Sequence, residues 1–152
     1  MSLIDIDLAM KHLLAEPDDQ DLIQSQLDGA ELSAMAYLNR NFYADQEALD
    51  TAKAAVPEQL ATARTSYTAA VEAANQVENQ EDRKRLLSYA CQDLAMAQER
   101  ADAAAYGIVL NADITTACLL KLGRLFADRE DDEEMPVAAK VWLDPYRVRM
   151  GV

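Results

Sequence analysis

Only four glycines and four prolines interrupt 152 residues, so few positions force a helix to stop. Between them Ala, Leu, Glu, Gln, Asp and Arg dominate. Apart from Asp, which suits caps, these side chains lose little entropy in a helix. The expected fold class is all-α. The length fits one domain, which buries roughly two-thirds of the surface its unfolded chain exposes.

Hydrophobic periodicity places the helices. Asp5 is positioned to cap a short helix with Leu8, Ala9, His12 and Leu13 at helical spacing, stopped by Pro17. Asp18-Asp19-Gln20-Asp21 then offers a capping carboxylate and first-turn negative charge to a second helix. Along it Ile23, Leu27, Ala30, Ala34, Tyr37 and Leu38 recur at three and four residues, predicting one apolar stripe to about Phe42. Gly29 costs about 1 kcal/mol relative to Ala in mid-helix; either a neighbouring helix approaches closely there or the residue is tolerated.

From about Ala44 to Ala105 the chain turns rich in Ala, Gln and Glu, and its apolar residues follow heptads. Leu60, Ala63, Tyr67, Ala70, Ala74 and Val77 form one seam; Leu87, Ala90, Leu94, Ala97, Ala101 and Ala104 form a second. Pro57 suits the first turn of the first helix, with Asp45 to Ala55 as a separate short helix before it. Asn79-Gln80-Glu81-Asp82 reads as the turn, Asn79 taking the left-handed conformation and Asp82 capping the return. Alanine-rich seams predict a closely packed antiparallel pair, roughly 30 Å long at ~1.5 Å per residue. Gly107 reads as a left-handed stop, followed by a helix that Asn111 or Asp113 caps.

That helix carries Ile114, Ala117, Cys118, Leu122, Leu125 and Phe126, with Leu119 and Leu120 beside them, and is expected to be the central core helix. Asp128 to Glu134 is a charged loop. Pro136 opens a last short helix with Val137, Val141 and Trp142, and Pro145 stops it, leaving Tyr146-Arg147-Val148-Arg149-Met150 as an exposed tail.

A formal charge of −13 repels phosphate and argues against a tight grip on nucleic acid. It does not prevent DNA from passing close by. No apolar run approaches the ~20 residues that span a bilayer, and the start lacks the basic and apolar regions of a secretory signal. A cytoplasmic protein without membrane contact is expected. Cys91 and Cys118 lie in apolar helical patterns without metal-ligand neighbours and read as small buried hydrophobes. His12, the single histidine, cannot supply the paired Glu-x-x-His elements of a di-iron bundle. The acidic loop lacks the alternating ligands and turn glycine of a calcium loop, and no nucleophile elbow or phosphate loop occurs. No catalytic, cofactor-binding or metal-ligating residue and no cofactor is assigned.

Several stretches in order carry a resemblance. Leu3-Ile4-Asp5 leads to Lys11-His12-Leu13, then Asp18-Asp19 opens a helix ending Ala36-Tyr37-Leu38-Asn39-Arg40-Asn41-Phe42-Tyr43. Later come Asp113-Ile114-Thr115-Thr116-Ala117-Cys118-Leu119-Leu120, Leu125-Phe126-Ala127-Asp128-Arg129-Glu130, Met135-Pro136 and Trp142-Leu143-Asp144-Pro145-Tyr146-Arg147. Their order resembles the head-tail connector, or portal adaptor, proteins of tailed bacteriophages, also known as phage DNA-packaging proteins. The shorter members join the equivalents of Tyr43 and Asn111 by a brief connection. The resemblance therefore implies a small helical bundle core from residues 1–44 and 110–152, with residues 45–109 as an inserted antiparallel helical hairpin.

It further implies a non-enzymatic structural protein of a phage or prophage, made in the host cytoplasm and placed in the virion neck. There it forms a homo-oligomeric ring on the portal protein, extends the DNA channel without specific binding, and docks a tail-side neck or completion protein. Trp142, Tyr146, Arg147 and Arg149 are the candidate partner interface, since aromatic and Arg side chains dominate interface hot spots. The contrary reading packs Trp142 on its own core. An alternative function is a coiled-coil protein-protein interaction module, with the hairpin as its working part. An enzyme would need a cleft holding several carboxylates of perturbed pKa.

Overall fold

The computed structural model describes residues 2–128 and 135–148. Among them the fold is all-α: α1 (Ile6–Leu13), α2 (Gln20–Leu38), α3 (Gln46–Asn75), α4 (Gln80–Ala105), α5 (Ala112–Ala127) and α6 (Val137–Leu143). Two short strands, β1 (Phe42–Tyr43) and β2 (Ile108–Val109), pair in parallel with Phe42 opposite Ile108. The chain divides into two compact units, Met1–Gln46 with Ile108–Val152, and Glu47–Gly107.

In the first unit α5 is the central helix, packed against α1, α2 and α6. Its Ile114, Ala117, Cys118 and Leu122 are fully buried, as are Ile23, Leu27, Ala30, Ala34 and Leu38 of α2. The three-and-four spacing on each helix puts these residues on one side, so both stripes leave water together. Ala139 and Leu143 of α6 complete the same core. Asp5 caps α1 by accepting from the Asp7 N–H at 2.8 Å, and Asn111 caps α5 by accepting from the Ile114 N–H at 3.0 Å.

Glu31 is the unforeseen member of this core. It is buried, and its two carboxylate oxygens accept the backbone N–H groups of Leu3 at 3.0 Å and Ile4 at 2.8 Å. The segment before α1 is thereby fastened to α2.

Helix ends depart from expectation wherever a tertiary contact or a local turn outranks propensity. Leu14, not Pro17, terminates α1, adopting a left-handed conformation (φ 52°) and donating to Lys11 and Met10 carbonyls. Pro17 instead opens a 3₁₀ turn, and Asp19 precedes α2 without a side-chain capping bond. Asn39, again left-handed at φ 55°, ends α2 at Leu38 and frees Phe42 and Tyr43 to pair with β2. Gly107 does not take positive φ. Its N–H closes on the Ala104 carbonyl, and Ile108 turns directly onto Asn41.

In the second unit α3 is continuous through Pro57, with no separate helix before it. A proline cannot serve the carbonyl four residues earlier, but Lys53 is exposed and water can take that place. Asn79 is extended rather than left-handed and itself caps α4, accepting from the Glu81 and Asp82 N–H groups. Arg83 returns to the Val77 carbonyl through Nε and Nη2, and the Tyr67 hydroxyl lies 3.9 Å from Cys91 Sγ. These contacts set α3 and α4 side by side in opposite directions. Ala90, Ala101 and Ala104 of the predicted α4 seam are buried, whereas on α3 Val71 is half-buried in place of the exposed Ala70.

Two surface depressions lie along the pair. An open depression of about 430 Å³ is lined by Ala55, Gln59, Thr62, Ala63 and Ala97. A second, of about 200 Å³, is lined by Tyr67, Ala70, Ala90, Asp93 and Leu94.

Because Phe42–Tyr43 lies beside Ile108–Val109, a short linker can replace Glu47–Gly107 while sparing β2. That shortened chain is expected to remain helical and to melt cooperatively, as circular dichroism against temperature will show. An insoluble or unfolded product would mean that the first unit does not stand alone.

Candidate assembly surfaces

Of the residues expected to form an exposed tail, Tyr146, Arg147 and Val148 are tied to the rest of the first unit. Val148 donates its N–H to the Leu38 carbonyl at 3.1 Å, and its own carbonyl accepts from Asn39 Nδ2 at 3.1 Å. Arg40 Nη1 reaches the Tyr146 carbonyl at 3.0 Å. The Tyr146 hydroxyl donates to Asp113 Oδ2 at 2.7 Å, which joins the tail to the first turn of α5. Left-handed Asn39 makes this possible, because it stops α2 and presents its side chain to the tail.

Tyr37 organises the other side. Its hydroxyl donates to Asp144 Oδ1, the Arg147 guanidinium stacks 4.5 Å from its ring centroid, and Lys140 Nζ stands 5.8 Å away. Such stacking on a ring face is worth roughly 0.5–1 kcal/mol at an exposed site. The hydrogen bond to Asp144, with burial second, pushes the Tyr37 hydroxyl above its ordinary pKa, and Arg147 opposes the shift. The bond to Asp113 likewise raises Tyr146. Burial lowers the Arg40 pKa.

Of the four candidate interface residues, Tyr146 and Arg147 are therefore engaged internally, and Arg149 lies outside the described residues, as does the acidic loop beyond Asp128. Trp142 is 44% exposed on α6, beside exposed Val141. Among the described residues Tyr146, Arg147 and Val148 are docked on the rest of the first unit, and Trp142 is partly exposed. Tyr37, Asn39, Arg40 and Asp113 were missed as partners of the docked residues. Their only signal was membership of the ordered stretches that carry the phage-connector resemblance.

The two cysteines differ. Cys118 is buried, and burial, with Glu31 nearby adding to it, pushes its thiol up to about 12. Cys91 is exposed rather than buried, because the α4 seam runs through Ala90 and Leu94 and leaves position 91 at its margin. At pH 8 one thiol per chain is expected to react with an aromatic disulfide reagent in the native protein, and both in urea. Two rapidly reacting native thiols would contradict the packing of α5. The raised Cys118 value also has a sign: its neutral form stabilises the fold below the ordinary thiol pKa of about 8.5, and that contribution is lost as pH climbs toward 12.

Among the described residues no group of three His, Cys, Asp or Glu side chains is placed to hold a metal ion, and no helix is long and apolar enough to cross a membrane. No protein-family model matches the chain, and no curated protein or solved structure is detectably similar to it.

Proposed function

We propose that this chain is a structural head-tail connector of a tailed bacteriophage or prophage. In this reading it forms a homo-oligomeric ring on the portal in the virion neck, extends the DNA channel and docks the next neck or tail protein. One observation supports the reading: three of the separate stretches that resemble the connector family meet in space. Tyr37-Leu38-Asn39-Arg40, Asp113 and Asp144-Pro145-Tyr146-Arg147 form the single hydrogen-bonded cluster that fixes the tail.

The charge suits the role, since an acidic lumen lets DNA slide without holding it. The middle segment is then an elaboration of the connector core. Electron microscopy of the protein mixed with the portal of the same phage genome tests the proposal. A ring coaxial with the portal is expected, and a chain that stays monomeric and leaves the portal bare contradicts it.

The surface depressions along α3 and α4 favour a second reading, a coiled-coil interaction module working through the hairpin of residues 45–109. The shortened chain separates the two, because a connector core keeps its portal binding without that segment and an interaction module loses its partner.

A further inference from the structure

The α4 seam that faces α3 is one of two. Asp82, Leu86, Tyr89, Asp93, Met96 and Arg100 alternate spacings of four and three along the same helix, which is the repeat of a second coiled-coil seam. By helical spacing it lies about 100° around α4 from the seam of Leu87, Ala90, Leu94 and Ala97. All six residues are exposed, Leu86 at 41%, Tyr89 at 53% and Met96 at 38%. Asp93 also lines the depression of about 200 Å³, together with Ala70 and Ala90, so the second seam borders a recess.

Arg85 and Glu99 stand one position before Leu86 and Arg100 and flank the seam. Among the described residues Asp82, Arg85, Asp93, Glu99 and Arg100 make no side-chain hydrogen bond or ion pair. Their neighbours are already engaged: Lys84 pairs with Glu81 at 3.2 Å, and Arg83 returns to the Val77 carbonyl.

We propose that α4 of a second copy packs on this seam, antiparallel to the first, about a twofold axis level with Cys91. Charge selects the occupant. Turned end for end about that level, the seam meets itself with opposite charges facing. Arg100 of one copy stands level with Asp82 of the other, and Arg85 with Glu99, each pair occurring twice by symmetry. Leu86 meets Met96, and Tyr89 stands level with Asp93. A parallel pair would instead set Asp93 against Asp93 and Arg100 against Arg100.

Charged residues in and beside such a seam set partner and orientation. Copies of a chain with a formal charge of −13 repel one another unless the contact itself supplies opposed charges, and this contact does so.

The pairing rests on the interaction-module reading of the hairpin and names its partner. A twofold contact joins copies that face opposite ways and does not itself close a ring. Two helices meeting over about 20 residues bury less than a standard interface, which suits a Kd on the order of 10–100 µM. Dilute chains are therefore single, and their Leu86 stays exposed.

Pulsed electron paramagnetic resonance on the full chain, with a nitroxide on the exposed Cys91, tests the pair. At concentrations above the Kd an intermolecular distance of roughly 20–30 Å is expected, because the helix axes lie close and both labels stand on the outer sides. Glu99→Arg and Arg85→Glu are at exposed positions, where circular dichroism should show the fold retained. Each sets like charges together twice and should weaken pairing roughly tenfold. An equimolar mixture of the two restores both pairs, and the distance should return. Asp102→Arg, the same change of charge at an exposed position outside the seam, should pair like the parent.

No such distance at millimolar concentration, a Glu99→Arg chain that pairs as well as the parent, or a mixture no better than its components would each overturn the contact. If the hairpin then still binds a different protein, the contact falls alone. If no protein, this chain included, binds through the hairpin, the interaction-module reading falls with it.

Discussion

Glu31→Ala is expected to lower folding stability by about 3 kcal/mol, since it leaves two backbone donors beside the core without an acceptor. The Glu31 carboxylate accepts from Leu3 and Ile4 at once, and Ile4 is itself buried in the core cluster. Hydrogen bonds to an ionised acceptor are the strong ones, and a buried N–H deprived of its partner costs roughly 1–3 kcal/mol. Glu31→Gln keeps one carbonyl oxygen and should lose about half as much. Urea denaturation followed by circular dichroism will rank the three chains. A Glu31→Ala midpoint equal to that of the parent would show that the N-terminal segment contributes nothing to the fold.

Leu122→Ala should cost about as much, roughly 3 kcal/mol, by a different route. Leu122 is completely buried on α5, the helix that packs against α1, α2 and α6. Truncation removes buried methyl groups and leaves a cavity whose walls cannot all relax inward, which places such changes at about 2–5 kcal/mol. Leu86→Ala, on an exposed α4 position, is the control and should change stability by less than about 0.5 kcal/mol. Equal midpoints for Leu122→Ala and Leu86→Ala would contradict α5 as the centre of the core.

The helix faces were legible because spacing alone fixes them. Ile23, Leu27, Ala30, Ala34 and Leu38 had to share a side, and so did Ile114, Ala117, Cys118 and Leu122. Helix ends were not, for physical reasons visible at each one. A leucine ended α1 in a left-handed conformation that propensity disfavours. Pro57 was accepted inside α3 on an exposed stretch, and Gly107 yielded to the pairing of Ile108 beyond it. Glu31 was not foreseen as a core residue, because only the folded path of Leu3 and Ile4 brings donors to it.

The candidate surface was legible in residue type and obscure in arrangement. Trp142, Tyr146 and Arg147 stood out as interface types, yet the partners of the last two, Asp113 and Tyr37, are distant in sequence and share no local pattern with them. The apolar character of α6 was evident in Val137 and Val141, but which side of a seven-residue helix turns outward depends on where Ala139 and Leu143 find the core. Similarly, Gly29 offered two readings, and among the described residues nothing lies within 4 Å of where its Cβ would be.

The mass of the assembled protein tests the central claim most directly. Native mass spectrometry of the full chain is predicted to show one dominant closed species at an integral multiple of the subunit mass, unchanged on further concentration. A monomer at every concentration that also leaves the portal bare, or an unlimited ladder of sizes, would contradict a chain that works by closing into a ring.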